Sequence, residues 1–429
     1  MSDDKKKDES LEEVLKKNGY TLEWVMDQLE KNDAPFRKAR GSHKIKETEI
    51  KSIGDGLGYC AQIFKTTFKF DAGDEETKDY SIVIKLPTDE LIADSFKSDD
   101  VDKEMQEHLS KLAWELHNRE CDAHEVLKEL RATSFPITDV YGWEKHDDKR
   151  NGILLMEDVS DKGKPVEALD SLTSDQCVNL SVRFADFQAF VEHLPVGQWR
   201  EMFKDSVHIR KQNEKEVKNK LKHVLEFRPE DQLNVVQNYM DMNLYEFAKY
   251  ALRDYPEKLE ATSLLHGDAW SHNVFFNVKD DGSIGNEPTA IIDWATLFEG
   301  NPLYDISRFL FCCTDGETRR EIQQKLLDTW YNRYSKTLAD HNLKPRFTRE
   351  QADELYELAS IRQGAALIEL FQSDGLPLFE KKDDKESIEK GERLWQRLRL
   401  AFEDIAELFR KYDILKKFPK SNDDDNKKQ

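Results

Sequence analysis

An α+β chain of two lobes is what this sequence predicts, a β-rich first lobe followed by a mainly helical second. Three observations carry that expectation. Glycine-punctuated, β-prone runs fill much of Ile50 to Pro87. From Ser174 onward, amphipathic helical patterns succeed one another. Inside that helical stretch lie two segments of another kind: LLHGDAWSHNVFF from Leu264 to Phe276, and AIIDWATLFEGNPLYDI from Ala290, an apolar strand-like run ending at Asp293 and a turn.

Taken in order, residues 1–10 are charged and expected to be disordered, and residues 11–157 form the first lobe. A leading helical pattern runs from about Leu11 to Ala39, with Leu11, Val14, Leu15, Trp24, Val25 and Leu29 recurring at three- and four-residue steps. The β-rich segment Ile50 to Phe70 follows. Its Gly54, Gly56 and Gly58 suit a hairpin whose backbone amides approach phosphate with no Cβ in the way, although a plain hairpin turn is the commoner meaning of such a triplet. Tyr80 to Pro87 (YSIVIKLP) reads as a central strand. Lys85 is the sole charge between Ile82 and Pro87, placed to reach nucleotide phosphates or, more blandly, to snorkel from an edge.

A buried lysine needs a carboxylate, and the helical stretch His117 to Leu130 offers Glu120 first, with Glu125 as competitor. Glu120 lies seven positions before Leu127 and can share its inward face. Gly152 to Met156 reads as an edge strand leading to Glu157 and Asp158. Met156, Glu157 and Asp158 suit the connector between lobes, where adenine would bond to backbone.

Residues 158–415 form the helical lobe, and 416–429 a disordered charged tail. Ser174 or Asp175 caps a helix bearing Leu180, Phe184, Phe187 and Val191. Further helices fit Leu233 to Tyr250, Asp305 to Phe311, Glu317 to Tyr334, Arg349 to Phe371 and Ile388 to Tyr412.

The two inserted motifs carry the chemistry. Asp268 and Asn273, five positions apart, put a carboxylate and a carboxamide on one loop, and Asp293 follows at the end of a buried strand. All three are hard oxygen donors, so Asp268 can take a hydroxyl proton while Asn273 and Asp293 hold magnesium against phosphates. Singly, each reads as a turn former or cap; the ordered set HGD, N, IIDW points to phosphoryl transfer. Asp305 is expected either to bond the amides of the HGD loop or to cap the next helix. His272 reads as a loop histidine bonded to nearby backbone. Trp270 and Trp294 suit an acceptor pocket or, more commonly, lobe packing.

Composition bounds the partners. With 65 Lys and Arg against 86 Asp and Glu, the 429-residue chain carries a net charge of -21, which argues against nucleic acid and anionic membrane surfaces. Five cysteines with neither pairing nor metal spacing fit a reducing compartment. No leader-like or membrane-length apolar run occurs, so a cytoplasmic location is expected, with no membrane insertion.

The set IGDGLG, VIKL, NRE, LLMED, HGDAWSHNVFF and IIDWATLFEGNPLYD, in that order over most of residues 50 to 310, resembles the choline-kinase-like and ecdysteroid-kinase-like branch of the aminoglycoside phosphotransferase superfamily. The two motifs from His266 onward are specific; the earlier ones support them. The resemblance implies a protein-kinase-like bilobal fold and magnesium-dependent transfer of the γ-phosphate of ATP to a small-molecule hydroxyl. It makes Asp268 the catalytic base, Asn273 and Asp293 the metal ligands, Lys85 the phosphate contact and Glu120 its partner, with His266 orienting the loop.

A protein kinase is the rival within that chemistry. It is disfavoured because Asp293 and Asp305 leave little room for an activation segment, no APE follows, and HGD lacks the arginine of HRD. A catalytically silent ATP-binding scaffold or small-molecule carrier is the rival outside it, separable by nucleotide turnover. For the acceptor, a choline-like cation would want an aromatic and acidic box, whereas a steroid would want an apolar groove such as Phe371, Leu376 and Phe379 around Gly375.

Overall fold

The computed structural model describes residues 10–53, 60–71, 79–88, 103–167, 169–210, 212–227, 234–371 and 385–420. Outside them lie Gly54, Gly56, Gly58, Leu376, Phe379 and most of both termini. The chain divides into two compact units, Met1–Arg131 with Ile137–Asp161, and Ala132–Pro136 with Lys162–Gln429. The division is α+β: one unit is built on an antiparallel sheet, the other is mainly helical.

In the first unit the leading helical pattern is three helices, α1 (Leu11–Lys17), α2 (Leu22–Asn32) and α3 (Ala34–Arg40). Each has its own cap: Ser10 in a capping box with Glu13, Thr21, and Asp33, whose carboxylate accepts from Phe36 N–H at 3.0 Å. Strands β1 (Lys44–Ile53), β2 (Ala61–Asp71), β3 (Tyr80–Pro87), β4 (Val140–Glu144) and β5 (Ile153–Glu157) form one antiparallel sheet in the order β1-β2-β3-β5-β4.

The two-residue period of β3 sorts its side chains between the faces. Ile82, Ile84 and Leu86 enter a core with Leu15, Leu29 and Phe36 of the leading helices. Val83 joins Leu154, Met156 and Cys121 on the opposite face. Lys85 shares that face with Val83, toward α4 (Lys103–Val126), which carries Cys121. This helix begins well before the expected His117.

One expectation needs correction. The run ending at Met156 is not an edge strand, because β5 lies between β3 and β4, and β4 is the edge. Ile153, Leu154 and Leu155 are all fully buried, so both faces of the strand are covered, as an inner strand requires.

The second unit opens with the short β6 (Lys164–Pro165) and α5 (Ser174–Val191). The α5 cap is Thr173, one residue ahead of Ser174, in a capping box with Gln176. After α6 (Gln212–Phe227), the expected helix Leu233 to Tyr250 is interrupted: α7 (Asn234–Asp241) stops and Asn243 caps α8 (Leu244–Lys249), which runs into a π turn, Tyr250–Asp254, and α9 (Tyr255–Lys258). Strands β7 (Ser263–Leu265) and β10 (Phe298–Gly300) pair, and β8 (Val274–Val278) and β9 (Ile284–Ile291) form a hairpin that β6 extends.

Helices α10 (Tyr304–Cys312), α11 (Gly316–Asp340), α12 (Arg349–Phe371), α13 (Lys385–Lys411) and α14 (Ile414–Lys417) complete the unit. Pro419 then bridges to Met242, so the unstructured tail expected from 416 does not hold for residues 416–420. All five cysteines are free thiols, and among the described residues no helix is long and apolar enough to cross a membrane.

His117 on α4 donates from Nε2 to the Glu144 carbonyl at 2.9 Å, and burial lowers its imidazole from 6.5 to about 4. Between those values the unfolded chain binds the proton that the folded unit refuses. His117 therefore leaves stability intact above about pH 6.5 and removes it as pH falls toward 4. Between pH 7 and pH 5 the wild type should lose about 2 kcal/mol more than His117→Gln, which keeps a donor without the titration; urea unfolding at both pH values checks this.

Candidate active site

The pairing of β7 with β10 puts the end of β7 beside the chain that leads into α10, and the HGD loop starts there. His266 is fully buried and fixed at both ring nitrogens. Nε2 donates to the Ile292 carbonyl at 2.9 Å, and Nδ1 accepts the Asp268 N–H at 3.2 Å. A ring so committed ties the loop to the residue before Asp293 and has both nitrogens occupied.

Gly267 has φ +87°, and a Cβ there would lie 2.4 Å from the Thr296 carbonyl oxygen. Only glycine fits both the backbone angle and the approach. Asp305, in the first turn of α10, is fully buried and takes the loop's amides: Oδ2 accepts from His266 N–H at 2.8 Å and Oδ1 from Gly267 N–H at 2.9 Å. Burial pushes its carboxyl above the ordinary range, against the pull of His266 and those two N–H groups. Of the two roles open to Asp305, holding the amides is the one it fills.

The β8–β9 hairpin gathers the remaining groups. Asn273 ends a 3-10 turn just before β8, Asp293 comes two residues after β9, and Ile292 N–H donates to the Asn273 carbonyl at 3.0 Å. Asn273 is buried, and its Nδ2 donates to the Asp268 carbonyl at 3.0 Å and to Asp268 Oδ2 at 3.2 Å. With the amide nitrogen spent on Asp268, Oδ1 is the end of the carboxamide left to accept or ligate. Asp293 sits in the left-handed region at φ 64° and ψ 69°, a conformation that Asp tolerates better than most residues and that collects at functional sites.

Arg308 escaped the sequence reading. Its Nη2 donates to Asp268 Oδ1 at 2.8 Å, as a largely buried ion pair. The available signal was its position: it is the lone cation of α10, three residues after Asp305 and so on the same helical face. Cys313, just beyond the helix, accepts Ser271 N–H at 3.2 Å, with its thiol pushed up to about 12 by burial. Trp294 is fully buried against Phe135, Phe187 and His266, which makes it packing, and Trp270 lies against His272. Burial lowers the His272 imidazole.

In the first unit, Lys85 Nζ lies 2.7 Å from Glu120 Oε2, with both side chains buried. Glu125, the competitor, is exposed and pairs with Lys128. The pair joins β3 to α4 within that unit. Met156 and Glu157 lie on β5, where Glu157 N–H is taken by the Asp139 carbonyl at 3.0 Å, so that amide is closed to an adenine. Asp158 pairs with Lys65 at 2.7 Å; burial works against its charge, but Lys65 and Ser160 hold its carboxyl below the ordinary range.

Fold and loop together define a class: a two-unit α+β chain whose helical part carries a carboxylate, a carboxamide and a second carboxylate around one hairpin. Residues 39–412 match the model of the DUF1679 family, described as Uncharacterized oxidoreductase dhs-27, and the chain belongs to that family. The curated protein of that description from Caenorhabditis elegans is 23% identical over 349 residues, which make up 78% of this chain. This chain spans 40% of the length of that relative. Among solved structures, the choline kinase of Cryptosporidium parvum is 12% identical, with 92% of this chain and 97% of that one covered at a TM-score of 0.47. The GDP complex of wild-type aminoglycoside 2'-phosphotransferase-IIIa is 16% identical, with coverage of 90% and 98% and a TM-score of 0.42.

The Gly267 contact gives a test with an internal control. Gly282 also has positive φ, +83°, but nothing lies within 4 Å of an added Cβ. Gly267→Ala should lower stability by about 2 kcal/mol more than Gly282→Ala, the excess being the clash with Thr296, as read by denaturant midpoints of the two variants.

Proposed function

We propose that this chain transfers the γ-phosphoryl group of ATP to the hydroxyl of a small molecule. The observation that carries the reading is the Asn273 amide, which bonds Asp268 through its nitrogen while its oxygen remains to accept or ligate, with Asp293 following the other strand of the same hairpin. A carboxamide and a carboxylate from one hairpin suit magnesium, which keeps waters and phosphate oxygens as its other ligands and so needs no cluster of three protein carboxylates. Among the described residues no such cluster of His, Cys, Asp or Glu occurs. Magnesium, when bound, would neutralise charge on the phosphates.

The chain's own groups then divide the work. Asp268, held by Arg308 and Asn273, orients the acceptor hydroxyl and takes its proton. The hydroxyl oxygen bonds to the γ-phosphorus, the bridging β–γ P–O bond breaks, and its electron pair leaves with ADP. Each Asp268 oxygen accepts one bond, from Arg308 or from Asn273, and keeps a further lone pair for the hydroxyl. Lys85, aimed by Glu120, is read as the contact to the α- and β-phosphates. The name oxidoreductase is carried by the family description as well as by a relative of which this chain spans 40%; phosphoryl transfer is inferred instead from the hard oxygen donors of the loop.

Two predictions test the reading, both with labelled ATP and a panel of small alcohols. Asp293→Ala should abolish turnover and weaken magnesium-dependent nucleotide binding, whereas Asp268→Asn should lose about 10²- to 10⁴-fold in turnover with ATP–magnesium affinity nearly unchanged in calorimetry. Equal loss of nucleotide affinity in both would put Asp268 in the metal shell.

Lys85→Met alone strands a buried carboxylate, at a cost of about 3–5 kcal/mol in stability. The double change with Glu120→Gln removes that penalty. It should fold and still bind an ATP analogue at least about tenfold more weakly than the wild type; unchanged affinity would remove Lys85 from the site.

A further inference from the structure

Arg308 has more donors than holding Asp268 requires. A guanidinium is a rigid fork of N–H groups that stays charged at every working pH. Its Nη2 donates to Asp268 Oδ1 at 2.8 Å. Nε is buried with no hydrogen-bond partner, and Nη1 bonds none of the described residues. A buried donor left unpaired costs stability and calls for an account. Positioning Asp268 is not a full one, because Asn273 Nδ2 bonds the other carboxylate oxygen and Asp305 fixes the turn through the amides of His266 and Gly267.

The charges of the loop supply the rest. Between Asp268 and Asn273 stand Ala269, Trp270, Ser271 and His272, so this stretch has no lysine or arginine of its own. In the phosphotransfer reading Asp268 puts a carboxylate beside the hydroxyl that must meet a phosphoryl group, itself negative. With base and hydroxyl about 3 Å apart, those like charges come close enough to repel strongly in a site partly withdrawn from water. Arg308 is the cation already in contact with the carboxylate, reaching it from α10. The pair is not sealed: Asp268 keeps 28% of its side chain exposed and Arg308 12%.

We infer, resting on the phosphotransfer reading above, that Arg308 is a catalytic residue whose unused donors take an oxygen of the phosphoryl group as it passes to the acceptor. The hydroxyl oxygen bonds to the γ-phosphorus, the β–γ P–O bond breaks with its electron pair leaving on ADP, and the hydroxyl proton goes to Asp268; Arg308 keeps all of its own protons. Because its guanidinium is held in place by the 2.8 Å bond beforehand, it meets the charge on the phosphoryl oxygens without reorganising.

The test is calorimetric binding of ADP–magnesium to the full chain with and without aluminium fluoride, which mimics the phosphoryl group in flight. The fluoride should tighten binding to the wild type at least about 10²-fold, and Arg308→Gln should remove most of that gain while leaving ADP–magnesium alone unchanged. Arg308→Lys keeps the charge without the fork and should retain only part of the gain, so the comparison survives even if circular dichroism shows Arg308→Gln unfolded. The decisive arm adds Arg308→Gln to Asp268→Asn. An arginine that served only to position the Asp268 carboxylate would have nothing left to position there, and the second change would be silent; a further loss of at least about tenfold in the gain is expected. No gain in the wild type, a gain indifferent to Arg308, a loss confined to chains that retain the Asp268 carboxylate, or an equal loss with ADP–magnesium alone would overturn the inference. Labelled phosphate on an alcohol decides the phosphotransfer reading separately. A wild type that labels an alcohol while its gain ignores Arg308 keeps that reading and sinks this one. A gain that depends on Arg308 in a chain that labels no alcohol leaves Arg308 at the phosphoryl group and sinks the small-molecule acceptor.

Discussion

A single buried carboxylate organises the helical unit's loop. Asp305 turns both oxygens to the amides of His266 and Gly267, and with them fixed, His266 reaches the Ile292 carbonyl and Asp268 points to Arg308. Backbone N–H groups at a tight turn have no secondary-structure partner, and burying them unpaired is expensive. One side chain removes that penalty and sets the direction of the loop in the same act. The same helix supplies Arg308 three residues on and is followed by Cys313, so α10 and the residue after it meet the loop with three side chains.

Much of this was legible in the sequence, and for identifiable reasons. The lone lysine in YSIVIKLP announces a strand with one polar position, and β3 occupies Tyr80–Pro87 with Lys85 on the face toward α4. The order HGD, N, IIDW marks a loop and hairpin because its residues must stay close whatever the rest does. The Asp268–Arg308 pair was not legible, since it depends on how a helix is laid against a loop 40 residues earlier. Strand β4 was missed because VYGWE is short and interrupted by glycine, and the interruption of the α7–α8 pattern rests on one capping asparagine. The burial of β5 on both faces made a continuous apolar run look like an edge strand when it marks an inner one.

The first unit solves a different problem. An isolated ammonium cannot be kept buried and charged, and Glu120 on α4 supplies the countercharge at 2.7 Å. Such a pair contributes little net stability after desolvation but fixes one geometry, because each partner penalises any arrangement that leaves it alone. The cores on the two faces of the sheet, Phe36 with the leading helices on one side and Cys121 with Leu154 on the other, hold the elements that carry it.

The contacts that finish the loop span 38 to 40 residues of chain. A polypeptide that ended at Gly300 would hold HGD, Asn273 and Asp293 in full, yet it would lack Asp305, which takes the amides of His266 and Gly267, and Arg308, which takes the Asp268 carboxylate. During synthesis, when a chain grows by roughly 5–20 residues per second, these motifs therefore leave the ribosome before the side chains that hold them. The loop's contacts are complete only once α10 emerges, and a search that recognises the motifs alone would count truncated copies, which lack those contacts, as whole ones.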